Sequence, residues 1–206
     1  FQKYFADYEE QYVLIGGAAC DILFESNEVN FRATRDLDMV LIVEALTPEF
    51  GEKFWEFIVD GKYRNKATNG SNPQFYRFDK PEDDEFPKMI ELFCRSDFKL
   101  KDAKGITPIH IDDEVSSLSA ILLNDDYYKA LLNGKEVRNG LSVLRPEYII
   151  LFKAKAYLDL QKRKDSGEKL DSSDIKKHKK DVLRIASELM LEKVEELPIA
   201  VDADIH

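Results

Sequence analysis

The chain of 206 residues carries 40 acidic against 30 basic residues, a net charge of −10, and is 44% hydrophobic and 11% aromatic. That composition can fill one core, or two small lobes sharing a cleft, and it excludes a protein that coats nucleic acid through a broad basic surface. Cys20 and Cys94 lie far apart with no ligand spacing, no apolar run approaches the roughly 18 residues of a membrane span, and FQKYFADYEE lacks a signal peptide's apolar segment. A cytoplasmic protein with no membrane partner, no disulfide framework and no zinc site is expected.

In chain order, YVLIGG (12–17) is a short β-rich run closed by two glycines, and AACDILFES after it has helical composition. DMVLIV (38–43) reads as a strand buried on both faces. TPEFGEKFWEFIVDG reads as a helix with Thr47 as N-cap, Pro48 at N1, and Phe50, Phe54, Phe57 and Ile58 on one side. KATNGSNPQ is turn chemistry, with Asn69-Gly70 suited to a hairpin. QFYRF (74–78), KMIELFC (88–94), ITPIHI (106–111) and SLSAILL (117–123) supply further short strands, and NGLSVL (139–144) precedes a change of period. After Arg145-Pro146 the period changes. EYIILFKAKAYLDLQKRK (147–164) and SSDIKKHKKDVLRIASELM (172–190) read as a helical hairpin joined by a polar linker, with Ser172 or Ser173 as cap of the second helix. The expected fold is α/β (α+β): a mixed-sheet lobe over 1–145 and a helical lobe over 146–206 that closes a cleft.

FRATRDLDMVL (31–41) places two carboxylates at the mouth of the apolar strand. Alternation along a strand projects Asp36 and Asp38 to one face and Leu37 to the other. Carboxylates held that close repel, and a divalent metal with oxygen ligands is the usual counter-charge at neutral pH; solvation at a loop end is the other reading. Gly16-Gly17 ends the preceding strand and opens a helix, which lets backbone N–H groups approach a phosphate closely.

This combination of apolar residue, G-G, spacer and D-x-D resembles the nucleotidyltransferase superfamily with the DNA polymerase β-like fold. R-x-T-x-D-L-D, here Arg32, Thr34, Asp36, Leu37 and Asp38, is similar to its AbiEii/AbiGii-type toxin branch. The match covers residues 12 to 43, and the spacer is longer than in the shortest antibiotic-adenylylating members. The resemblance implies a third carboxylate on a neighbouring strand. Glu91, inside KMIELFC, supplies it, with Asp97 as the fallback; an edge-strand carboxylate facing water is the alternative for Glu91.

In the first hairpin helix Ile149, Lys153, Ala156, Tyr157 and Leu160 share a face, while Lys155, Asp159 and Lys162 fall on the polar side. Lys153 sits in an apolar stripe, where a lysine either snorkels to the surface or meets a ligand. The resemblance implies the second role: a lysine followed three residues later by alanine that contacts the nucleotide phosphates. The family also has a K-D-x-x-D-like element on the next helix. KHKKD places Lys177, His178 and Asp181 there, with His178 where the family has Asp, on a face that would otherwise be a salt-bridged surface. With Lys162, Arg163, Lys164, Lys176, Lys179 and Lys180, the hairpin is the one basic region of an acidic chain.

The resemblance thus implies a metal-dependent nucleotidyltransferase that moves an NMP from an NTP to an acceptor hydroxyl. Asp36, Asp38 and Glu91 would hold Mg²⁺ (or Mn²⁺); Gly16, Gly17, Arg32, Thr34, Lys153, Lys177, His178 and Asp181 would serve the nucleotide. Its toxin branch further implies an RNA acceptor such as tRNA and an antitoxin protein partner. The alternative is a catalytically inactive nucleotide-binding or regulatory module that retains the fold.

Overall fold

Tyr12–Ile15 is buried throughout because this run becomes an interior strand with neighbours on both sides. A computed structural model describes residues 1–25, 36–68, 72–94, 98–102, 105–109, 121, 124–194 and 196–205. The described elements run α1 (Gln2–Phe5), β1 (Tyr12–Ile15), α2 (Gly16–Glu25), β2 (Asp36–Leu41), α3 (Pro48–Asp60), β3 (Arg64–Thr68), β4 (Asn72–Asp79), β5 (Met89–Cys94), β6 (Phe98–Asp102), β7 (Gly105–Ile109), α4 (Asp125–Asn133), β8 (Lys135–Arg138), β9 (Leu141–Leu144), α5 (Pro146–Asp165), α6 (Ser172–Glu188) and α7 (Ile199–Ile205). Among them, seven strands form one mixed sheet in the order β3-β4-β5-β2-β1-β9-β8, and β6 pairs with β7 apart from it. The chain is an α+β protein, with three of its described helices following β9 as a C-terminal helical region. No helix among the described residues is long and apolar enough to cross a membrane.

Register divides the sheet into two faces. Tyr12 lies opposite Leu41, and Leu37 opposite Ile90, which itself faces Phe78 on β4. Strand alternation carries Tyr12, Leu37, Met39, Leu41, Ile90 and Phe78 to one side. α3 covers that side with the aromatic residues that its period predicts: Phe50 stacks on Tyr12 at 6.4 Å between centroids, and Phe54 meets Phe78 edge-on at 5.5 Å. Thr47 caps α3, its Oγ1 accepting from the Phe50 N–H at 3.3 Å, with Pro48 in the first turn. On the opposite face α2 lies against the sheet, and the α5–α6 hairpin packs beyond it, with Arg184 over the Phe24 ring at 5.8 Å. One continuous apolar cluster joins the sheet, α2, α3 and α4 to α5, α6 and α7.

Several expectations change. Asp171 caps α6 through the Ser173 N–H at 2.8 Å, in place of Ser172 or Ser173, because a carboxylate one residue earlier reaches the first free N–H groups. Of residues 117–123, expected as a strand, only Ile121 is described, and it is helical and buried. The turn at Asn69-Gly70 lies outside the described residues, but β3 and β4 on either side pair antiparallel as a hairpin requires. α1, α4, α7, β3, β6, β8 and β9 are additional to the elements expected from sequence, and β3 and β4 take in residues of KATNGSNPQ on both sides of Asn69-Gly70 that were expected as turn. α7 changes the surroundings of α5: Asp204 accepts from the Tyr127 hydroxyl at 3.0 Å and pairs with Lys155 at 3.0 Å, so the polar side of α5 is covered there rather than solvated.

Phe54 has no exposed surface and touches four other rings. Phe54→Ala is expected to cost about 3–5 kcal/mol of unfolding free energy, followed in urea by the fluorescence of Trp55, the chain's single tryptophan. Val59→Ala, on the exposed side of the same helix at 68% exposure, is expected to change it by less than about 0.5 kcal/mol.

Candidate functional site

The site is built on one row across the sheet. Ile15 of β1 lies opposite Asp38 of β2, Asp38 opposite Glu91 of β5, and Glu91 opposite Arg77 of β4. All four therefore share the face away from α3, at successive spacings of about 4.8 Å. Asp36, two residues before Asp38, projects to the same face and is exposed, whereas Leu37 between them is buried on the other. Because β1 and β2 are antiparallel, the Gly16-Gly17 turn at the end of β1 comes beside the start of β2. Gly16 has φ +65°, the left-handed region, and a Cβ there would run into the Asp38 carboxylate. Glycine at 16 thus allows both the turn from strand to helix and the close approach of backbone to carboxylate. Gly17, half-buried, follows in the first turn of α2.

Asp38 carries the electrostatic load of the site. Burial, then the Glu91 charge, raise its carboxyl from 3.8 to about 7; Asp36 adds to the rise, while Lys153 and Lys177 oppose it. Charges from four elements (β2, β5, α5 and α6) thus act on one carboxylate. Lys153 is 12% exposed and gives a hydrogen-bonded ion pair to Asp181 at 2.7 Å. Of the stripe expected on α5, Ile149 and Ala156 are buried and Tyr157 and Leu160 half-buried, with Phe152 buried beside them. Cys20, on α2, is close enough for this pair to act on its thiol, which burial pushes up to about 12, so it is no nucleophile at neutral pH. Lys177 is exposed and His178 half-buried on the same helix as Asp181.

Glu91 finds its counter-charge within the sheet. The Arg77 Nε donates to Glu91 Oε1 at 2.6 Å, and Nη2 of the same guanidinium donates to the same oxygen. Arg77 is not among the residues expected at the site from sequence. The signal was a lone charged residue inside the aromatic run QFYRF, but only the strand register identifies its partner. Arg32, Thr34 and Asp97 lie outside the described residues. The structure brings Asp36, Asp38, Glu91, Lys153, Lys177, Asp181 and Gly16 into one neighbourhood.

Asp36, Asp38 and Glu91 offer oxygen donors alone, which suits a hard divalent cation. Among the described residues, no three Asp, Glu, His or Cys side chains stand close enough together to hold a metal between them. The donors nevertheless fit such an ion in their chemistry: they share one face on adjacent strands, and burial, with the Glu91 charge beside it, raises the Asp38 carboxyl to about 7, a cost that a cation would relieve. Drawing them into a coordination set requires Glu91 to share itself between Arg77 and the cation.

The raised carboxyl of Asp38 gives a pH dependence of known sign. Between about pH 4 and 7 the unfolded chain loses this proton and the folded chain keeps it, so Asp38's contribution to stability falls as pH rises through that window and is constant above it. Asp38→Asn removes the contribution. Its stability gain over the parent should be small at pH 4.5 and grow by roughly 1 kcal/mol or more by pH 8, in urea melts at both pH values. An equal gain at both would mean that Asp38 is ionised throughout. Comparisons with protein-family models, with curated proteins and with solved structures find no match for the chain.

Proposed function

We propose that the chain is a metal-dependent nucleotidyltransferase that moves a nucleoside monophosphate from an NTP to an acceptor hydroxyl. The observation that carries this reading is the convergence on Asp38 of two further carboxylates and two lysines, beside a glycine turn that admits no Cβ. A core strand has no use for such a cluster, whereas a triphosphate with its cation needs both signs of charge in one cleft. Asp36, Asp38 and Glu91 would hold Mg²⁺ or Mn²⁺, which when bound supplies Lewis acidity to the reacting phosphate and to the acceptor oxygen.

The protein's own groups position and neutralise. Gly16 and Gly17 bring the N–H groups that open α2 toward a phosphate. Lys153, set by the buried stripe of α5 and near enough to Asp38 for its charge to act there, would place its ammonium on the triphosphate once Asp181 yields it. Lys177 adds charge from α6, His178 and Asp181 line the same side, and Arg32 and Thr34 join them by resemblance alone. The AbiEii/AbiGii-like pattern over residues 12 to 43 favours an RNA such as tRNA as acceptor, an antitoxin as protein partner and a toxin–antitoxin or phage-defence setting in the cytoplasm. One observation favours a second reading, a nucleotide-binding module without turnover: Glu91 and Lys153 already sit in internal ion pairs.

Binding should depend on the metal, since the carboxylates repel a triphosphate until a cation offsets them. Calorimetry of each NTP with and without Mg²⁺ tests this, and equal affinities would remove the carboxylates from the binding site. Transfer of labelled NMP to total RNA separates the two readings: metal-dependent binding with no transfer to any acceptor supports the module. Lys153→Met is expected to lower transfer by roughly a hundredfold or more, the scale of one preorganised charge. It should also cost some stability, because Asp181 loses its partner; the assay is therefore run well below the variant's melting temperature. Lys162→Met, on the exposed end of α5, serves as the control, because Lys155 is tied to Asp159 and Asp204. Equal effects of the two substitutions would separate the hairpin from phosphate binding.

A further inference from the structure

We infer that Arg77 is a positioning residue for the carboxylate cluster: its guanidinium fixes Glu91 on the face shared with Asp38 and, by its charge, weakens the binding of a divalent cation in the absence of nucleotide. This rests on the reading of Asp36, Asp38 and Glu91 as the cation's ligands. Arg77 and Glu91 are directly opposed on β4 and β5, and Asp38 is opposed to Glu91 from the other side on β2. Both Arg77 donors, Nε and Nη2, converge on Oε1 of Glu91. That leaves Oε2 as the oxygen without an Arg77 donor. Glu91 is only 16% exposed and Arg77 35%, so the pair is partly shielded from solvent. A carboxylate at that depth, set beside Asp38, needs a counter-charge, which the Arg77 fork supplies and which a bound cation would supply in its place.

The same contact has an electrostatic consequence. A guanidinium cannot deprotonate, so it remains as a fixed positive charge one strand away from the cluster. It repels any divalent ion that approaches Glu91, and an incoming triphosphate, being strongly negative, is what offsets that repulsion. Cation and nucleotide are then expected to bind together rather than the cation alone. A merely structural ion pair would add stability but would not set the site's affinity for a bare cation.

The experiment measures Mn²⁺ binding without nucleotide, from the electron paramagnetic resonance signal of the free ion, on the parent, Arg77→Met and Arg77→Lys, each with its melting temperature. Arg77→Met is expected to bind Mn²⁺ at least about tenfold more tightly than the parent, because one positive charge beside the site is gone. Arg77→Lys, which keeps the charge and loses the two-donor fork, should bind Mn²⁺ like the parent yet show a lower kcat for NMP transfer, with the KM for NTP little changed. If Arg77→Met does not fold, Arg77→Gln carries the same expectation. A parent that binds Mn²⁺ with the neutral variants binding it no more tightly overturns the inference alone. Absence of Mn²⁺ binding from the neutral variants, where an NTP restores it, likewise overturns the inference alone; absence of Mn²⁺ binding from every protein with and without an NTP overturns the metal reading, and the inference with it.

Discussion

A carboxylate set half-buried on a sheet face directly opposite a second carboxylate has to be offset, and the surroundings of Asp38 follow from that constraint. β2 and β5 are fixed in register by the apolar side they share: Leu37, Met39 and Leu41 must meet the aromatic layer under α3, which leaves Asp38 and Glu91 no choice of face. Core packing on one side of the sheet thus enforces repulsion on the other. The strain is local, but the packing that imposes it runs through the whole sheet.

Two ion pairs moderate it. Arg77 meets Glu91 from within the sheet, and Lys153 comes from α5 already bound to Asp181 of α6. The second pair also joins the two helices of the hairpin at the point where they face the sheet. Positive charge is thus supplied in a form that is partly committed elsewhere, and it does not cancel the burial and the Glu91 charge that together raise the Asp38 carboxyl. Such a balance is sensitive to any ligand that brings charge of either sign, which separates this cluster from the exposed pairs such as Lys62–Glu82, whose charges are screened and whose partners are interchangeable.

Much of this was legible in the sequence, for reasons specific to each segment. β2 was readable because DMVLIV needs burial on both sides, and the face shared by Asp36 and Asp38 follows from alternation alone. Lys153 was readable as a charge inside an otherwise apolar helical stripe. The role of Arg77 was not, because local pattern identifies a strand but never its neighbour across the sheet; the residue becomes significant only through its register with Glu91. α4 was missed although Asn124 before Asp125-Asp126 is a cap signal, and its side chain does accept from the Asp126 and Tyr127 N–H groups. Lys155 looked solvated because the docking of a distant seven-residue helix leaves no trace in the periodicity of α5.

The sheet order also bears on how the chain is made. β1 sits between β2, which follows it closely, and β9, where Leu14 pairs with Val143. During translation one edge of Tyr12–Ile15 can be satisfied almost at once, while the other waits for most of the chain to be synthesised, on the order of ten seconds at ordinary ribosome speeds. For that interval a fully apolar strand has an open hydrogen-bonding edge, the kind of template on which nascent chains mispair.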